Sequence, residues 1–378
     1  MKHPWDSQAF RRGARLSGRD EQNIEAGLSI ARAIKGRSND LPVIFSLSHL
    51  AHLVDIQPNQ LRAVTDRLID PYRVFRLRKR SGGKSSKAAK RRYRDICVPS
   101  PALMRTQRWV AQNILNALDP HYASHGFAPK SQMLDAAQGH CGRAWLLKMD
   151  LRNFFESITE KQVYWVFRGC GYTALLSFEL ARLCTRSKDL KMHHHQVASV
   201  YPHPEAKAGY LPQGAPSSPM LANLAVYKLD EKLTELAQSA GWRYTRYADD
   251  LAFSTDSDIS RKDALWLKNK ANGCIRKFGL ETNHQKTTIS PPGARKILLG
   301  VLVDRETPKL TRQFKDNIET HLYALTNPKI GVEAHLTARG FNSVIGMSHH
   351  LKGLISFAHY VDPNYATRLY NSYNNVSW

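Results

Sequence analysis

The stretch Tyr244-Thr245-Arg246-Tyr247-Ala248-Asp249-Asp250-Leu251-Ala252-Phe253 places two adjacent carboxylates between two short runs rich in aromatic and apolar residues. Runs of this kind, joined at a tight turn, predict a β-hairpin. Adjacent residues of a strand face opposite ways, so a turn is needed to hold both acids near one point. Two acids there repel each other unless a cation neutralises them. The simpler alternative is a solvated hairpin tip.

A second acid follows another apolar run. Residues 144–149 have the pattern of a buried strand, and Asp150 comes directly after them. Thr159 and Gln162 then fit a capping box, which predicts the start of a helix. An acid at a strand end, beside a two-acid hairpin, would supply shared ligands for two metal ions that clamp the oxygens of a phosphoryl transfer. Oxygen ligands suit Mg²⁺.

A loop of small residues lies between these acidic segments: Leu211-Pro212-Gln213-Gly214-Ala215-Pro216-Ser217-Ser218-Pro219. It opens a helical pattern from residue 220 to about 238, which stops before Gly241. Backbone N–H groups in a small-residue loop at a helix N-terminus can approach a phosphate. Gln213 and Gly214 are therefore candidate nucleotide contacts, and an ordinary turn is the alternative.

The ordered segments LKMDLRNFF, LPQGAPSSP, RYADD and GLETNHQKTTI resemble the palm of a reverse transcriptase. The segments LPQGAPSSPMLANL and RYADDLAFS are together most similar to those of bacterial retron reverse transcriptases, and the resemblance covers about residues 92–303. It implies an α+β right-hand polymerase fold, with fingers, a palm built on an antiparallel sheet, and a helical thumb. Two family motifs differ here. Asn-Ala-x-x-His becomes Ala136-Ala137-Gln138-Gly139-His140, and Val-Thr-Gly becomes Leu298-Leu299-Gly300.

The resemblance also implies roles for single residues. Asp150 and Asp249 would coordinate two Mg²⁺ ions, with Mn²⁺ as a substitute, and Asp250 would be a weaker ligand or an electrostatic support. Leu151 would offer backbone contact to the metal-bound triphosphate of an incoming deoxynucleotide. Phe155 matches the position that blocks a ribose 2′-hydroxyl, and core packing is its alternative role.

Residues 73–94 form the most basic stretch, and its flanks alternate like two strands around a flexible tip at 81–87. In a strand Arg92 and Arg94 share one face, which suits the triphosphate-gripping role that the resemblance implies for the fingers. Lys286 matches a basic group near the leaving pyrophosphate, and a surface lysine is the alternative. The lysines of this basic stretch that we expect to bind RNA are Lys84, Lys87 and Lys90.

The composition favours a polyanionic partner. Lys and Arg number 55 against 32 Asp and Glu, a net charge of +23, which predicts salt-sensitive binding to nucleic acid. An anionic membrane surface is the rival explanation. However, the sequence has neither an apolar stretch of about 18 residues nor a signal-peptide core. We therefore expect a cytoplasmic protein with no membrane partner. The five scattered cysteines predict reduced thiols.

The N-terminal segment divides into an arm and short helices. Residues 1–20 are rich in arginine and predict a mobile or partner-ordered basic arm. Residues 23–35 have helical spacing, with Gly36 as a stop. The short helical patterns at 46–54 and 58–68 resemble a helix-turn-helix. We prefer a packed helical pair to a reader of duplex DNA.

Two further segments are predicted to contact RNA. Residues 187–209 are polar and irregular. Their histidines, including His193-His194-His195, have no structural-zinc spacing, so a basic loop touching RNA is favoured over a zinc site. From about residue 307 the pattern is helical, at 314–326 and about 331–359. Tyr365 and Tyr370 near the end either pack or stack on bases, and such a thumb would hold a primer–template duplex by its shape.

Three domains are predicted: a basic arm with a helical region at 1–70, fingers and palm at 71–303, and a helical thumb at 304–378. The favoured function is a retron-type enzyme that copies part of a dedicated structured non-coding RNA into DNA linked to RNA, with a role in anti-phage defence and an effector protein as a further partner. The alternatives are another bacterial reverse transcriptase (group II intron-like, diversity-generating or defence-associated) and a catalytically silent RNA-binding scaffold. Retention of all three aspartates argues against the scaffold.

Overall fold

The computed structural model describes residues 5–78, 93–129, 131–187 and 209–378. The predicted hairpin tip and most of the 187–209 loop, with its histidines, lie outside these residues. Four residues with predicted contacts to RNA or nucleotide lie outside them as well: Lys84, Lys87, Lys90 and Arg92.

The described chain mixes α-helices with antiparallel sheets, which confirms the α+β class. The helices are α1 (Ser7–Leu16), α2 (Glu21–Lys35), α3 (Leu47–Leu53), α4 (Pro58–Thr65), α5 (Pro101–Asn113), α6 (Met133–Gln138), α7 (Glu160–Gly169), α8 (Ala174–Cys184), α9 (Ser218–Ala225), α10 (Tyr227–Ser239), α11 (Arg261–Lys277), α12 (Arg312–Thr326), α13 (Gly331–Arg339), α14 (Val344–Val361) and α15 (Pro363–Asn374). The strands are β1 (Tyr72–Arg78), β2 (Tyr93–Pro99), β3 (Trp145–Asp150), β4 (Arg243–Tyr247), β5 (Asp250–Thr255), β6 (Thr288–Ser290), β7 (Ile297–Leu298), β8 (Val301–Leu302) and β9 (Lys309–Leu310).

The chain forms two compact units, each assembled from three segments. The first unit comprises Met1–Ser131, Leu151–Leu233 and Ala271–Thr282. The second unit comprises Gln132–Asp150, Thr234–Lys270 and Asn283–Trp378.

The described part of the predicted N-terminal arm includes a helix, α1. Asp6 caps α1 by accepting hydrogen bonds from the backbone N–H of the next turn, including that of Gln8 at 2.8 Å. Arg15 then lies 3.0 Å from Glu21 of α2, and Arg11 pairs with a second glutamate of that helix. A cap of this kind stabilises a helix by about 1 kcal/mol. Two of the four arginines in this segment, Arg11 and Arg15, are therefore paired with acids of the same chain.

The other predictions for the first unit fit the structure more closely. Helix α2 ends at Lys35 with Gly36 as its C-cap, and α3 and α4 form the predicted packed pair around buried Leu50 and Leu61. Strands β1 and β2 pair as the predicted antiparallel hairpin, with Leu77 opposite Arg94.

The single helix predicted from residue 220 to about 238 is instead two helices. Its backbone leaves the helical range at Val226, where φ is −102° and ψ is 12°. The N–H groups of Leu229 and Asp230 both donate to the Val226 carbonyl, at 2.9 and 3.0 Å, so α10 begins afresh there. Apolar residues continue at helical spacing on both sides, and this is why the pattern did not indicate the break.

The second unit is built on a four-stranded antiparallel sheet in the order β4-β5-β3-β6. The sheet confirms both the predicted hairpin and the predicted buried strand. Leu146 of β3 and Ala252 of β5 lie in one apolar core with Leu298 and Val301 of the small β7-β8-β9 sheet. One face of the main sheet is thereby covered at the end away from Asp150.

Helices α12 to α15 complete the second unit around a core of their own that includes Ile318, Met347, Leu351 and Ile355. The predicted helix at 331–359 is instead α13 and α14. Gly340 separates them with a φ of 67°, the left-handed conformation that commonly ends a helix.

The cysteines and the apolar helices bear on two general expectations. All five cysteines lie in the described residues and none forms a disulfide, as predicted. Within the described ranges, no helix combines the length and the apolar character needed to cross a bilayer.

Candidate active site

The hairpin that carries two of the acids closes through a two-residue turn. Tyr247 pairs with Asp250, which leaves Ala248 and Asp249 to make the turn. Ala248 has a φ of 54°, in the left-handed region that short hairpin turns require. The Arg246 side chain is fully buried, and its Nη1 donates to the Ala248 carbonyl at 3.1 Å. Arg246 therefore supports the turn from within.

The third acid stands beside this hairpin. Asp150, the last residue of β3, is the direct partner of Asp250, the first residue of β5. Side chains directly opposite in an antiparallel pair lie on one face with their Cβ atoms about 5 Å apart. Asp150 is buried, Asp249 is half-buried and Asp250 is exposed. Three carboxylates are thus gathered at one end of the sheet, as the sequence predicted.

Lys286 also reaches the acids. Its Nζ lies 2.6 Å from Oδ2 of Asp150, while the Asp150 carbonyl accepts a hydrogen bond from the Asn283 N–H at 2.7 Å. The Lys286 side chain is 59% exposed, so the ammonium can leave the carboxylate without a large desolvation change. Lys286 is thus both a surface lysine and a neighbour of the acids.

The electrostatics of the cluster favour a cation. Burial, followed by repulsion from Asp249 and Asp150, raises the pKa of Asp250 to about 6, while Lys286 and Lys148 act in the opposite direction. Asp250 is nonetheless exposed over its surface as a whole, so water and ions still reach it. Burial also lowers the pKa of Lys148, and Asp250 partly offsets this.

A divalent ion suits this donor set, although no closed cage exists. Carboxylate oxygens are the ligands that Mg²⁺ prefers, and proteins usually bind it through one or two carboxylates together with substrate phosphates. Within the described residues, no group of three or more His, Cys, Asp or Glu side chains is arranged to hold a metal ion. A metal ion bound here would therefore take only part of its coordination shell from the aspartates and the rest from a substrate phosphate.

The other predicted contacts around the nucleotide belong to the first unit. Leu151 is buried and forms a β-bridge with Thr282. Phe155 is half-buried, with its ring centroid 6.1 Å from that of Phe127, while Phe154 is 3% exposed and belongs to the core. Phe154 thus already fills the packing role that was the alternative for Phe155.

The small-residue loop lies against the β1-β2 hairpin. The Gln213 carbonyl accepts a hydrogen bond from the Cys97 N–H at 2.8 Å. Gly214 has a φ of 106°, and a Cβ there would lie 2.9 Å from Cγ2 of Ile96 and 3.0 Å from the Cys97 carbonyl. Glycine is therefore required at this position. Arg94 lies exposed on β2.

The two predicted RNA-contacting tyrosines differ in exposure. Tyr365 is buried in the helical core, and its hydroxyl donates to Oε1 of Glu319 at 2.6 Å. Tyr370 is half-buried at the edge of the same core. This arrangement favours the packing alternative for Tyr365 and leaves Tyr370 as the more accessible ring.

Three residues that lie beside the acids or support their hairpin were not predicted from the sequence. Lys148 lies two positions before Asp150, and strand alternation places both on one face. Arg246 was quoted only as part of the RYADD segment. His140 was noted only within an altered family motif. In the structure it is fully buried and contacts both strands of the β4-β5 hairpin.

An antiparallel sheet that gathers three carboxylates at the end of one hairpin fits the chemistry of a metal-dependent nucleotidyl-transfer enzyme. Residues 78–303 match the reverse transcriptase (RNA-dependent DNA polymerase) family. The chain therefore belongs to this family, as a retron-type RNA-directed DNA polymerase. This confirms the predicted enzyme class. The family generally uses divalent metal ions and deoxynucleoside triphosphates.

Curated relatives support the retron type. The Retron Ec86 reverse transcriptase of Escherichia coli is 32% identical over 309 residues, covering 82% of this chain and 86% of that protein. The Retron Mx162 reverse transcriptase of Myxococcus xanthus is 30% identical over 349 residues, covering 88% of this chain and 67% of that protein. The Retron Ec83 reverse transcriptase of Escherichia coli is 28% identical over 309 residues, covering 80% and 86%.

Proposed function

We propose that this enzyme copies part of a dedicated, structured non-coding RNA into single-stranded DNA that stays linked to RNA, and that it acts in anti-phage defence. The observation that carries the polymerase chemistry is the pairing of Asp150 with Asp250 beside Asp249. The retron type of product rests on the relatives, which are named as retron reverse transcriptases and match about four-fifths of the chain.

The polymerase subdomains are assigned on the same basis. The β1-β2 hairpin belongs to the fingers, the four-stranded sheet to the palm, and helices α12 to α15 to the thumb. Residues 1–70 form a helical extension, residues 71–303 the fingers and palm, and residues 304–378 the thumb.

The acids act by positioning and charge. Asp150 and Asp249 would hold two Mg²⁺ ions, for which Mn²⁺ could substitute, and Asp250 would be a weaker ligand or an electrostatic support. When bound, these ions would neutralise charge on the attacking 3′-hydroxyl oxygen, the α-phosphate and the leaving oxygen. Lys286 holds Asp150 in the free enzyme. Its exposed ammonium is then available to the leaving pyrophosphate as a proton donor.

The incoming deoxynucleotide contacts residues of the fingers and palm. Arg92 and Arg94 bind the triphosphate, and the backbone at Leu151 adds a contact to it. Phe155 occupies the space that a ribose 2′-hydroxyl would need. Support comes from its partial exposure, because Phe154 already serves the core.

The small-residue loop at Gln213 and Gly214 approaches the nucleotide through its backbone. The close contacts of Gly214 with Ile96 and Cys97 fix this loop against β2, the strand that also carries Arg94, a proposed contact of the triphosphate.

The RNA and the RNA–DNA product bind over several regions of the chain. The net charge of +23 supports this extended contact. The proposed surfaces are the basic finger stretch with Lys84, Lys87 and Lys90, the 187–209 loop, and the thumb with Tyr370. An effector protein is a further proposed partner.

Sequencing the nucleic acid that copurifies with the enzyme tests the proposed product. A retron-type enzyme should carry an RNA–DNA hybrid whose DNA has a defined end. Asp249→Asn is the matched control, because it should retain the RNA without the DNA. Recovery of RNA fragments with heterogeneous ends, or of DNA at wild-type levels from Asp249→Asn, would contradict the proposal.

A further inference from the structure

A buried histidine joins β4 and β5, the two strands of the hairpin that carries Asp249 and Asp250 (the catalytic hairpin). His140 has no exposed surface and lies in the short segment between α6 and β3. Its Nδ1 lies 2.6 Å from Oγ of Ser254, and its Nε2 lies 2.8 Å from Oγ1 of Thr245. Thr245 belongs to β4 and Ser254 to β5, so one imidazole ring connects both strands.

These two hydroxyls lie on the same face of the hairpin as Asp250. Thr245 is the partner of Ala252, and Ser254 follows Ala252 by two residues. Alternate residues of a strand share a face, and diagonal partners remain within reach of a long side chain. Asp250 precedes Ala252 by two and belongs to the same face. The histidine therefore anchors the catalytic face at the end opposite the acids.

The histidine is itself held in place. Its neighbour Gly139 ends α6, and a Cβ at that position would lie 3.3 Å from Nη1 of Arg243 in β4. Ala137 of α6 lies in one apolar core with Leu146 of β3 and Ala252 of β5. Helix α6, which ends just before His140, therefore also packs on β3, the strand that ends at Asp150.

The hydrogen bonds suit a neutral ring. One ring nitrogen of neutral histidine donates and the other accepts, and hydroxyls can do either, so both contacts are satisfied without a buried charge. Loss of the ring would leave two buried hydroxyls without these partners and would remove the only described side chain that hydrogen-bonds both Thr245 and Ser254.

We propose that His140 is a positioning residue for DNA synthesis. It holds β4 and β5 in the register that sets Asp249 and Asp250 against Asp150. This inference rests on the proposed catalytic role of the three aspartates. A displacement of about 1 Å in such a site lowers the rate by on the order of 100-fold, so the register of the hairpin matters for turnover as well as for folding.

The test compares two identical substitutions in the same hairpin of the full-length enzyme. Thr245→Val removes a buried hydroxyl that contacts His140. Thr255→Val removes a buried hydroxyl that bonds instead to the Gly241 carbonyl, at 2.7 Å, and to Ser257. Primer extension on an RNA template gives kcat, KM for the deoxynucleotide and the Mg²⁺ concentration for half-maximal rate. Thermal unfolding and RNA binding are measured on the same samples.

We expect Thr245→Val to lower kcat by about tenfold, because a displacement smaller than about 1 Å should lower the rate by less than the full displacement does. The variant should also require more Mg²⁺. Its RNA affinity and its KM for the deoxynucleotide should stay close to wild type. Thr255→Val should lose stability to a similar degree while keeping kcat. His140→Leu should be slower still, and adding Thr245→Val to it should cost little more, because the shared contact is already gone. His140→Gln, which can donate and accept, should recover part of the rate.

Wild-type kcat in Thr245→Val, or an equal loss of kcat in Thr255→Val, would overturn the positioning role. Asp249→Asn separates this outcome from failure of the proposed site. If Asp249→Asn still synthesises DNA, the catalytic assignment is wrong. If Asp249→Asn is inactive while Thr245→Val is normal, only the inference about His140 fails.

Discussion

The ammonium of Lys286 lies 2.6 Å from a carboxylate oxygen of Asp150, the acid that is directly paired with Asp250 across the sheet. In the metal-free chain this lysine supplies a positive charge at a site where carboxylates converge. A divalent ion that binds Asp150 must therefore displace or share that contact. The contact between Lys286 and Asp150 is therefore expected to influence metal affinity, its pH dependence and the release of pyrophosphate.

Removing a charge from the acid cluster should abolish synthesis. Asp150→Asn and Asp249→Asn each take one ligand charge from a site proposed to hold two dications. We expect loss of Mg²⁺-dependent DNA synthesis on an RNA template, with RNA binding retained. Primer extension and filter binding on the same samples measure both. Normal extension by either variant would show that these acids do not hold the metal.

Substitution of Lys286 should have two opposite effects. Lys286→Gln removes the charge that competes for Asp150, so the Mg²⁺ concentration for half-maximal rate should fall. The same change removes the proposed donor to pyrophosphate, so kcat should fall by about 10²-fold or more. Lys262→Gln, an exposed lysine at the start of α11, is the control and should change neither. A fall in kcat with an increased Mg²⁺ requirement would instead indicate that Lys286 supports metal binding.

Asp250 should make the metal-free enzyme less stable as the pH rises. Its pKa in the fold is about 6, above its ordinary value of 3.8, so the folded state binds the proton more tightly than the unfolded state. The resulting stabilisation is complete below about pH 4 and is lost as the pH rises through about 6. Urea unfolding in chelator from pH 4 to 7 measures this.

Asp250→Asn isolates this contribution from that of other carboxylates. The variant should show a flatter dependence of the unfolding free energy between pH 4 and 6 than the wild type. Mg²⁺ binds the ionised carboxylate, so the wild-type requirement for Mg²⁺ should increase as the pH falls below about 6. If the unfolding free energies of the two proteins depend on pH in the same way, the raised pKa of Asp250 does not affect stability.

Much of this site could be predicted because its determinants are local. The hairpin around Ala248 follows from two aromatic and apolar runs joined by a turn, and Asp150 follows from an apolar run that ends in an acid. Lys148 lies two residues from Asp150, so strand alternation alone could have suggested it.

Other features depend on contacts between distant segments. His140 meets Thr245 and Ser254 only after β4 and β5 have paired and the segment before β3 has packed on them, and no spacing in the chain marks that contact. Likewise Arg11 and Arg15 of α1 pair with Glu25 and Glu21 of the next helix, whereas composition alone suggested a mobile or partner-ordered basic arm.

Phe155 and Phe154 offer a matched pair for the sugar gate. Phe155→Ala should increase incorporation of ribonucleotides relative to deoxynucleotides, because the half-buried ring is proposed to occupy the space of the 2′-hydroxyl. Phe154→Ala should instead destabilise the fold by about 3–5 kcal/mol, as expected for a buried phenylalanine, with sugar preference unchanged. Single-nucleotide incorporation and denaturant unfolding measure the two effects. An unaltered preference in soluble, active Phe155→Ala would reject the gate.

Binding of structured RNA should weaken steeply with salt. If the charge of +23 reflects an extended clamp, each neutralised phosphate contributes about −0.7 to −0.9 to the slope of log affinity against log salt. Replacing Lys84, Lys87 and Lys90 together by glutamine should lower affinity and flatten that slope. Titrations at four or more salt concentrations measure it. A parallel line with lower affinity would mean that these lysines do not contact phosphate.

Selectivity for one RNA requires more than charge, and the thumb tyrosines allow a test. Recognition of a particular RNA uses unpaired bases that stack on aromatic rings. Tyr370 is half-buried and can present its ring, whereas Tyr365 is buried with its hydroxyl bonded to Glu319. We expect Tyr370→Ala to lower the preference for cognate over random RNA more than it lowers total binding. Tyr365→Ala should destabilise the thumb and reduce binding of both RNAs alike.

Competition binding at fixed salt, together with thermal unfolding, distinguishes the two tyrosines. Equal losses for both RNAs in Tyr370→Ala would make Tyr370 a packing residue too, and selectivity would then have to arise from another surface.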